Sequence, residues 1–246
     1  MSRKTFTFLL INVLFVFSSL SLEAQNPQNA DKNTRYLALG DSLAFGYNPL
    51  IQPPNLSNYV GYPDIVSQSL HLTMANASCP GETSGTFVGS SSTFLPGFNC
   101  IPLQSDGGLF VPYNGAPTQL AYAVNYLQSN PNPQLVTINI GVNDIGLLQA
   151  NCTAATPTNA AAIATCETTG LPAVLSTFGQ NLATIYQELR ATGYTGPIVA
   201  LNAAPFNYSD PQQLLAFTSL NLVISEVSSK FNVSVANVFQ AFATAS

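Results

Sequence analysis

Short apolar segments alternate with longer segments of helical period along this chain, and that alternation restricts the fold more than any other feature. Residues 36–39, 72–77, 135–140, 198–201 and 233–236 are short, largely apolar runs of the kind that form strands buried on both faces. Between them, 63–71, 119–127, 171–191 and 212–231 read as helices. Ile65, Val66 and Leu70 share one face of the first, and Leu120, Val124 and Leu127 line the second. Pro63 suits a first helical turn, where its missing N–H is not needed, and Gly193 suits the residue just past a helix end. The pattern predicts one α/β domain with a parallel sheet covered on both faces, and 246 residues are enough to build it. In open parallel sheets, ligands collect at the carboxyl ends of the strands. The chemistry is therefore to be sought in the segments that follow each strand.

The first residues read as an export signal. Arg3 and Lys4 precede a mostly apolar run over 6–17, small residues follow, and Ala24 suits the last position before cleavage. That run is shorter than the ~20 residues a spanning helix needs; an uncleaved membrane anchor is the alternative reading of the same residues. The expected division is a signal peptide at 1–24, a polar linker at 25–34 and a single domain at 35–246, in a secreted or periplasmic protein. An even set of cysteines (Cys79, Cys100, Cys152 and Cys166) in an exported chain suggests two disulfides. Three pairings are possible. Proximity favours Cys79–Cys100 and Cys152–Cys166, each worth roughly 3 kcal/mol in the chain-entropy account. A metal site is poorly supported, since there is no paired CxxC and His71 is the only histidine. With 6 Lys+Arg in the whole chain, no basic stripe for nucleic acid can be assembled, and the net charge of −5 reads as solubility.

Three motifs follow three of the predicted strands: GDSLAFGY at 40–47, CPGETSGTF at 79–87 and GVND at 141–144. Each has a plain structural reading when taken alone. Ser42 reads as a helix N-cap, Pro80-Gly81 as turn chemistry, and Asn143-Asp144 as a turn or cap pair. Asp41 and Asp144 invite a paired-carboxylate mechanism, although ordering of their own loops is the simpler role for both, and for Glu82.

In order and at the expected strand ends, GDSL, the loop glycine and GxND resemble the first three sequence blocks of the GDSL, or SGNH, hydrolases. SQSLHLTMANASCPGETSGTF, VTINIGVNDIG, ATGYTGPIVALN and VSVANVFQAF extend the similarity, to the secreted branch of that family, from Arg35 to the chain end. The resemblance implies a flavodoxin-like three-layer α/β/α fold with a five-stranded parallel sheet in the order 2-1-3-4-5. It implies that Ser42 is the nucleophile of an esterase or lipase working through an acyl-serine intermediate. The Ser42 and Gly81 backbone N–H groups and the Asn143 side-chain amide would form the oxyanion hole. Charge develops on the carbonyl oxygen during attack, and losing one such donor costs about 10²–10³ in rate. Gly81 has no side chain to obstruct its N–H. No cofactor or metal is implied. The expected partner is a small-molecule, lipid or glycan ester, met by a monomer.

The family's fourth block, an Asp-x-x-His pair that carries the general base and the group orienting it, follows the segment matched here by VANVFQAF. Asn237 in that segment stands where the family often has Asp, but that position is not the catalytic acid. Only seven residues follow Phe239, and none is histidine. His71 is predicted at the amino end of the second strand, opposite the motif loops, so no base for Ser42 is expected in this chain. Without that base, serine hydrolases keep only ~10³–10⁴ over the uncatalysed rate. The favoured explanation is a truncated sequence, the other a natural chain that binds but barely reacts. The main rival function is a non-catalytic secreted module for acylated glycans or lipids. A phosphoryl-transfer or redox flavodoxin-like protein is the second rival, disfavoured by the lack of GxxxxGK[ST]. Loops at 48–62, 88–116 and 146–170 are expected to shape the pocket.

Overall fold

A computed structural model of the chain describes residues 34–50, 58–97, 113, 115–130 and 132–244. The five strands form as β1 (Arg35–Gly40), β2 (Thr73–Asn76), β3 (Leu135–Asn139), β4 (Ile198–Leu201) and β5 (Ser234–Ala236). They make one sheet in the order β2-β1-β3-β4-β5, with every pairing parallel. Continuous apolar runs suit this, because the inner strands have no solvent face. Leu37, Leu39, Val136 and Ile138 bury on one side of the sheet, in the main core. Tyr36 and Ala38 bury on the other, against Leu72 and Val66.

The main-core side is covered by α4 (Gln119–Ser129), α6 (Ala160–Ala191) and α7 (Pro211–Lys230), through Leu120, Leu127, Phe178, Leu182, Ile185, Leu220 and Ile224. The other side carries α2 (Tyr62–Leu70), which has Pro63 in its first turn. Short helices α1 (Ser42–Phe45), α3 (Ser84–Val88) and α8 (Val238–Ala243) and the longer α5 (Val142–Ala155) complete the described elements. None of the described helices is long and apolar enough to cross a membrane. The expected signal peptide, and the linker apart from Thr34, lie outside the described residues.

One expectation is overturned. Residues 146–170, read as a pocket-shaping loop, are mostly helical: 146–155 belong to α5 and 160–170 to the start of α6, with a break at 156–159. Their Thr, Asn and Pro content suggested a loop, but these residues are used differently. Pro157 stands between the two helices, and Asn159 caps α6 by accepting from the Ala162 N–H. The alanine-rich run at 160–164 favours helix. The Thr165 and Thr168 hydroxyls donate to carbonyls one turn back, within the helix. The expected Cys152–Cys166 disulfide is present and ties α5 to α6. Cys79 is also disulfide-bonded, whereas Cys100 lies outside the described residues. Of the other two expected loops, 51–57 and 98–112 lie outside them as well.

The sheet order reverses at β1, which has β2 on one side and β3 on the other. That switch point is where an open parallel sheet leaves a crevice outside its carboxyl ends. GDSL leaves β1 there and GVND leaves β3 there.

Candidate active site

The chain leaves β1 through Gly40, which has φ +139° and lies so close to β3 that an added Cβ would stand 2.2 Å from the Asn139 carbonyl oxygen. Asp41 follows, donating its N–H to that same oxygen at 3.1 Å. The Asp41 side chain accepts from the Leu43 N–H at 3.0 Å and caps α1. Ser42 is therefore the first helical residue and not the cap; the capping role belongs to Asp41. First-turn N–H groups have no partner within a helix. Among the described residues, nothing bonds to the Ser42 N–H or to its hydroxyl.

The second motif continues the pairing of β2 with β1. Ala77 N–H donates to Ala38 O and Cys79 N–H to Gly40 O, each at 2.9 Å. A turn then forms, with Glu82 N–H donating to Cys79 O at 3.2 Å. Pro80 and Gly81 fill its centre, and Gly81 has φ +81°, the conformation that the third residue of a type II turn requires. Among the described residues, the Gly81 N–H also has no acceptor.

The third motif locks onto the second. Asn143, in the first turn of α5 and buried, donates from Nδ2 to Glu82 O at 2.8 Å. Asp144 accepts from the Ser84 N–H at 2.9 Å and from the Ser84 hydroxyl at 2.6 Å. Asn181 of α6 donates to that hydroxyl at 3.0 Å. The structure thus joins the loops bearing Ser42, Gly81 and Asn143 through β1–β2 and β1–β3 pairing and the Asn143–Glu82 bond. A cavity of about 360 Å³ opens beside Asp144, with Thr83, Leu148, Val174 and Asn181 among its walls.

Glu82 is 1% exposed. Its carboxylate accepts from the Tyr113 hydroxyl and, at 3.0 Å, from Gln119 Nε2. Gln119 also grips the Gly40 peptide, accepting from its N–H at 2.6 Å and donating to its oxygen at 3.0 Å. Nothing in the sequence marks Gln119, Tyr113, Ser84 or Asn181 as site residues. Gln119 reads simply as the first residue of an amphipathic helix, and its partners are far away in the chain.

Burial dominates the electrostatics. It pushes the Asp41 carboxyl up to about 7, the Leu43 N–H opposing and the neighbouring Asp144 and Glu82 charges adding. Glu82 is likewise raised to about 7 by burial, against the hydrogen bonds from Tyr113, Thr86 and Gln119. Asp144 is raised by burial too. Among the described residues, no lysine or arginine comes near. Arg35 opens β1, while Arg190 and Lys230 close α6 and α7, all at the opposite end of the sheet. His71 is there as well. It caps the C-terminus of α2, exposed, at φ 53° and at the amino end of β2. Among the described residues no group of three side chains could hold a metal ion. What the site offers is a hydroxyl at a helix start and neutral N–H donors on neighbouring loops, a set suited to an uncharged electrophile that becomes anionic on attack.

Residues 38–246 match the GDSL-like Lipase/Acylhydrolase family. Among solved structures, the chain is similar to a phospholipase A1 from Streptomyces albidoflavus NA297, at 18% identity and a TM-score of 0.57, with 86% of this chain and 82% of that one covered. It is also similar to the lipase Lip_vut3 from a goat rumen metagenome, at 14% identity and a TM-score of 0.52, with 85% and 83% covered. At these identities the likeness is one of fold. No curated protein matches the chain.

Proposed function

Starting from a chain that belongs to the GDSL-like lipase/acylhydrolase family, and is an ester hydrolase of that kind, we propose that it acts through an acyl-serine intermediate on Ser42. Ser42 Oγ attacks the ester carbonyl, its hydroxyl proton passes through solvent to the departing alkoxide, and the bond to the alcohol breaks. Water then cleaves the acyl group from the serine. The Ser42 and Gly81 N–H groups and Asn143 Nδ2 stabilise the oxygen that becomes negative at each addition. The single observation that carries the reading is the Asn143 Nδ2 bond to Glu82 O at 2.8 Å, because it holds the amide of the β3 loop on the residue next to Gly81. That bond uses one Nδ2 hydrogen and leaves the other for a substrate.

The described residues offer no imidazole to take the Ser42 proton, since His71 lies at the other end of the sheet. We infer that residues 1–246 acylate slowly for that reason, keeping about the 10³–10⁴-fold residual that oxyanion stabilisation and binding give alone. The substrate is an uncharged ester of a small molecule, lipid or glycan. Export is part of the same proposal, supported by the Cys152–Cys166 disulfide and the N-terminal pattern.

The test is a fluorophosphonate probe, which loses fluoride when a serine oxygen attacks phosphorus. Adduct mass on the Ser42 peptide, absent in Ser42→Ala, supports the reading. Folded protein that stays unlabelled at Ser42 overturns it in favour of a non-catalytic module for acylated glycans or lipids.

A further inference from the structure

We propose that Glu82, acting with Gln119, is the positioning residue that sets the spacing of the oxyanion donors; this rests on Ser42 being the nucleophile. Three donors that serve one oxygen must be spaced to within a fraction of an ångström, yet here they stand on three loops that meet only through tertiary contacts. Glu82 is linked to all three, directly to the Gly81 and Asn143 loops and through Gln119 to the loop that carries Ser42. Its carboxylate takes a hydrogen from Gln119 Nε2 at 3.0 Å. Gln119 in turn holds both the N–H and the oxygen of Gly40, the residue two before Ser42. The Glu82 main chain follows Gly81 directly, and its carbonyl oxygen receives Asn143 Nδ2.

The amide chemistry makes this a directional latch. Gln119 Nε2 has two hydrogens, one for Gly40 O and one shared between Glu82 Oε2 at 3.0 Å and the Tyr113 hydroxyl oxygen at 3.2 Å. Its Oε1 is committed to the Gly40 N–H, so the amide cannot flip without breaking all of these bonds. Gln119 is fully buried, Glu82 nearly so, and the Tyr113 hydroxyl also donates to the carboxylate. A buried carboxylate is costly unless its acceptors are filled. Its presence under the site, where an apolar side chain would pack at lower cost, calls for a positional explanation.

The alternative is that Glu82 only stabilises the core. The rate of Ser42 phosphonylation separates the two, resolved into an encounter constant and a bond-forming rate constant. Glu82→Ala and Gln119→Ala should each lower the bond-forming constant about 10²-fold, the scale of a donor displaced by an ångström, with the encounter constant held within about threefold. Glu82→Gln should restore the rate to within about threefold, because its oxygen can still accept from Gln119 and Tyr113 while its amide faces the Thr86 hydroxyl. Ser228→Ala is the stability control. It removes the buried bond to the Tyr186 hydroxyl between α6 and α7, and should leave labelling at the wild-type rate.

Wild-type labelling in folded Glu82→Ala and Gln119→Ala overturns the proposal. So does an equal slowing by Ser228→Ala, or a Glu82→Gln variant as slow as Glu82→Ala. If Glu82→Ala does not fold, Gln119→Ala decides, since it opens the latch and leaves the carboxylate its Tyr113 bond. An unlabelled wild-type Ser42 removes the acyl-serine reading and this inference together, and is thereby distinguished from the outcomes that sink the inference alone.

Discussion

Replacing Asp41 by Asn should make the protein more stable in mild alkali and change little in acid. Asp41 is 0% exposed. Its Oδ1 accepts from the Leu43 N–H, whereas its Oδ2 has no partner; Asn139 Oδ1 on the adjacent strand end is a second buried acceptor without one. Burial raises the carboxyl from 3.8 to about 7, so the folded protein holds this proton more tightly than the unfolded chain does. A group of that kind contributes stability that is complete below its unfolded value and is lost as pH rises through the folded one. A rise of about three pH units, at about 1.4 kcal/mol each, makes the loss about 4 kcal/mol between about pH 4 and pH 8. That is a large share of the ~5–15 kcal/mol that holds a domain folded. Asparagine has the same shape and no charge at any pH, keeps the acceptor for Leu43, and brings two hydrogens where Oδ2 had none. Guanidinium unfolding followed by circular dichroism suits a chain with no tryptophan. Asp41→Asn and wild type should coincide near pH 4, then diverge to about 4 kcal/mol near pH 8. A smaller decline should persist in the variant, because Glu82 is also raised, from 4.5 to about 7. Parallel curves for the two proteins, or a wild type that gains stability with rising pH, would refute the assignment of a protonated Asp41.

Asn143→Ala should slow Ser42 phosphonylation by about 10²–10³; a rate within a few-fold of wild type in folded protein would remove Asn143 from the oxyanion hole. The double change Cys152→Ala, Cys166→Ala should lower unfolding free energy by about 3 kcal/mol, read by chemical denaturation, because it frees the 14-residue separation that joins α5 to α6. An undiminished value would mean that the helices hold each other without it. His71→Ala should leave the labelling rate unchanged, since His71 sits at the far end of the sheet from Ser42; a marked fall in a folded variant would show that the imidazole reaches the site. Labelling should respond little to salt with a neutral probe and speed up with salt for an anionic one, because the motif end has buried carboxylates and no described cation.

The fold was legible to the extent that it is local. β1 and β3 have apolar runs that stand out, and α2 and α4 announce themselves by their apolar spacing, α2 also by Pro63 near its start. The start of α6 was not legible. Threonine and asparagine suit turns and caps equally, and only the cap at Asn159, with hydroxyls turned back onto carbonyls at Thr165 and Thr168, makes a helix of them. At the site, the motif residues were legible as motifs. Ser42 was not legible as the residue after a cap, because Asp and Ser are nearly equal as capping side chains.

By itself, then, the sequence determined an alternating α/β chain with its motif residues at strand ends and Cys152 near enough to Cys166 to pair. These are properties of neighbours in the chain, within reach of one turn or one pleat. Only the tertiary structure decided that β1 lies between β2 and β3, and hence that three loops from separate parts of the chain share one crevice. It also decided the partners of the buried polar groups. Gln119 meets Gly40 across 79 positions and Glu82 across 37. Hydrogen bonding and desolvation depend on what surrounds a group in space, and no local pattern carries that information. That is why the three motifs can be read together from the chain, while the buried partners of Glu82, Gln119 among them, emerge only once the sheet has formed.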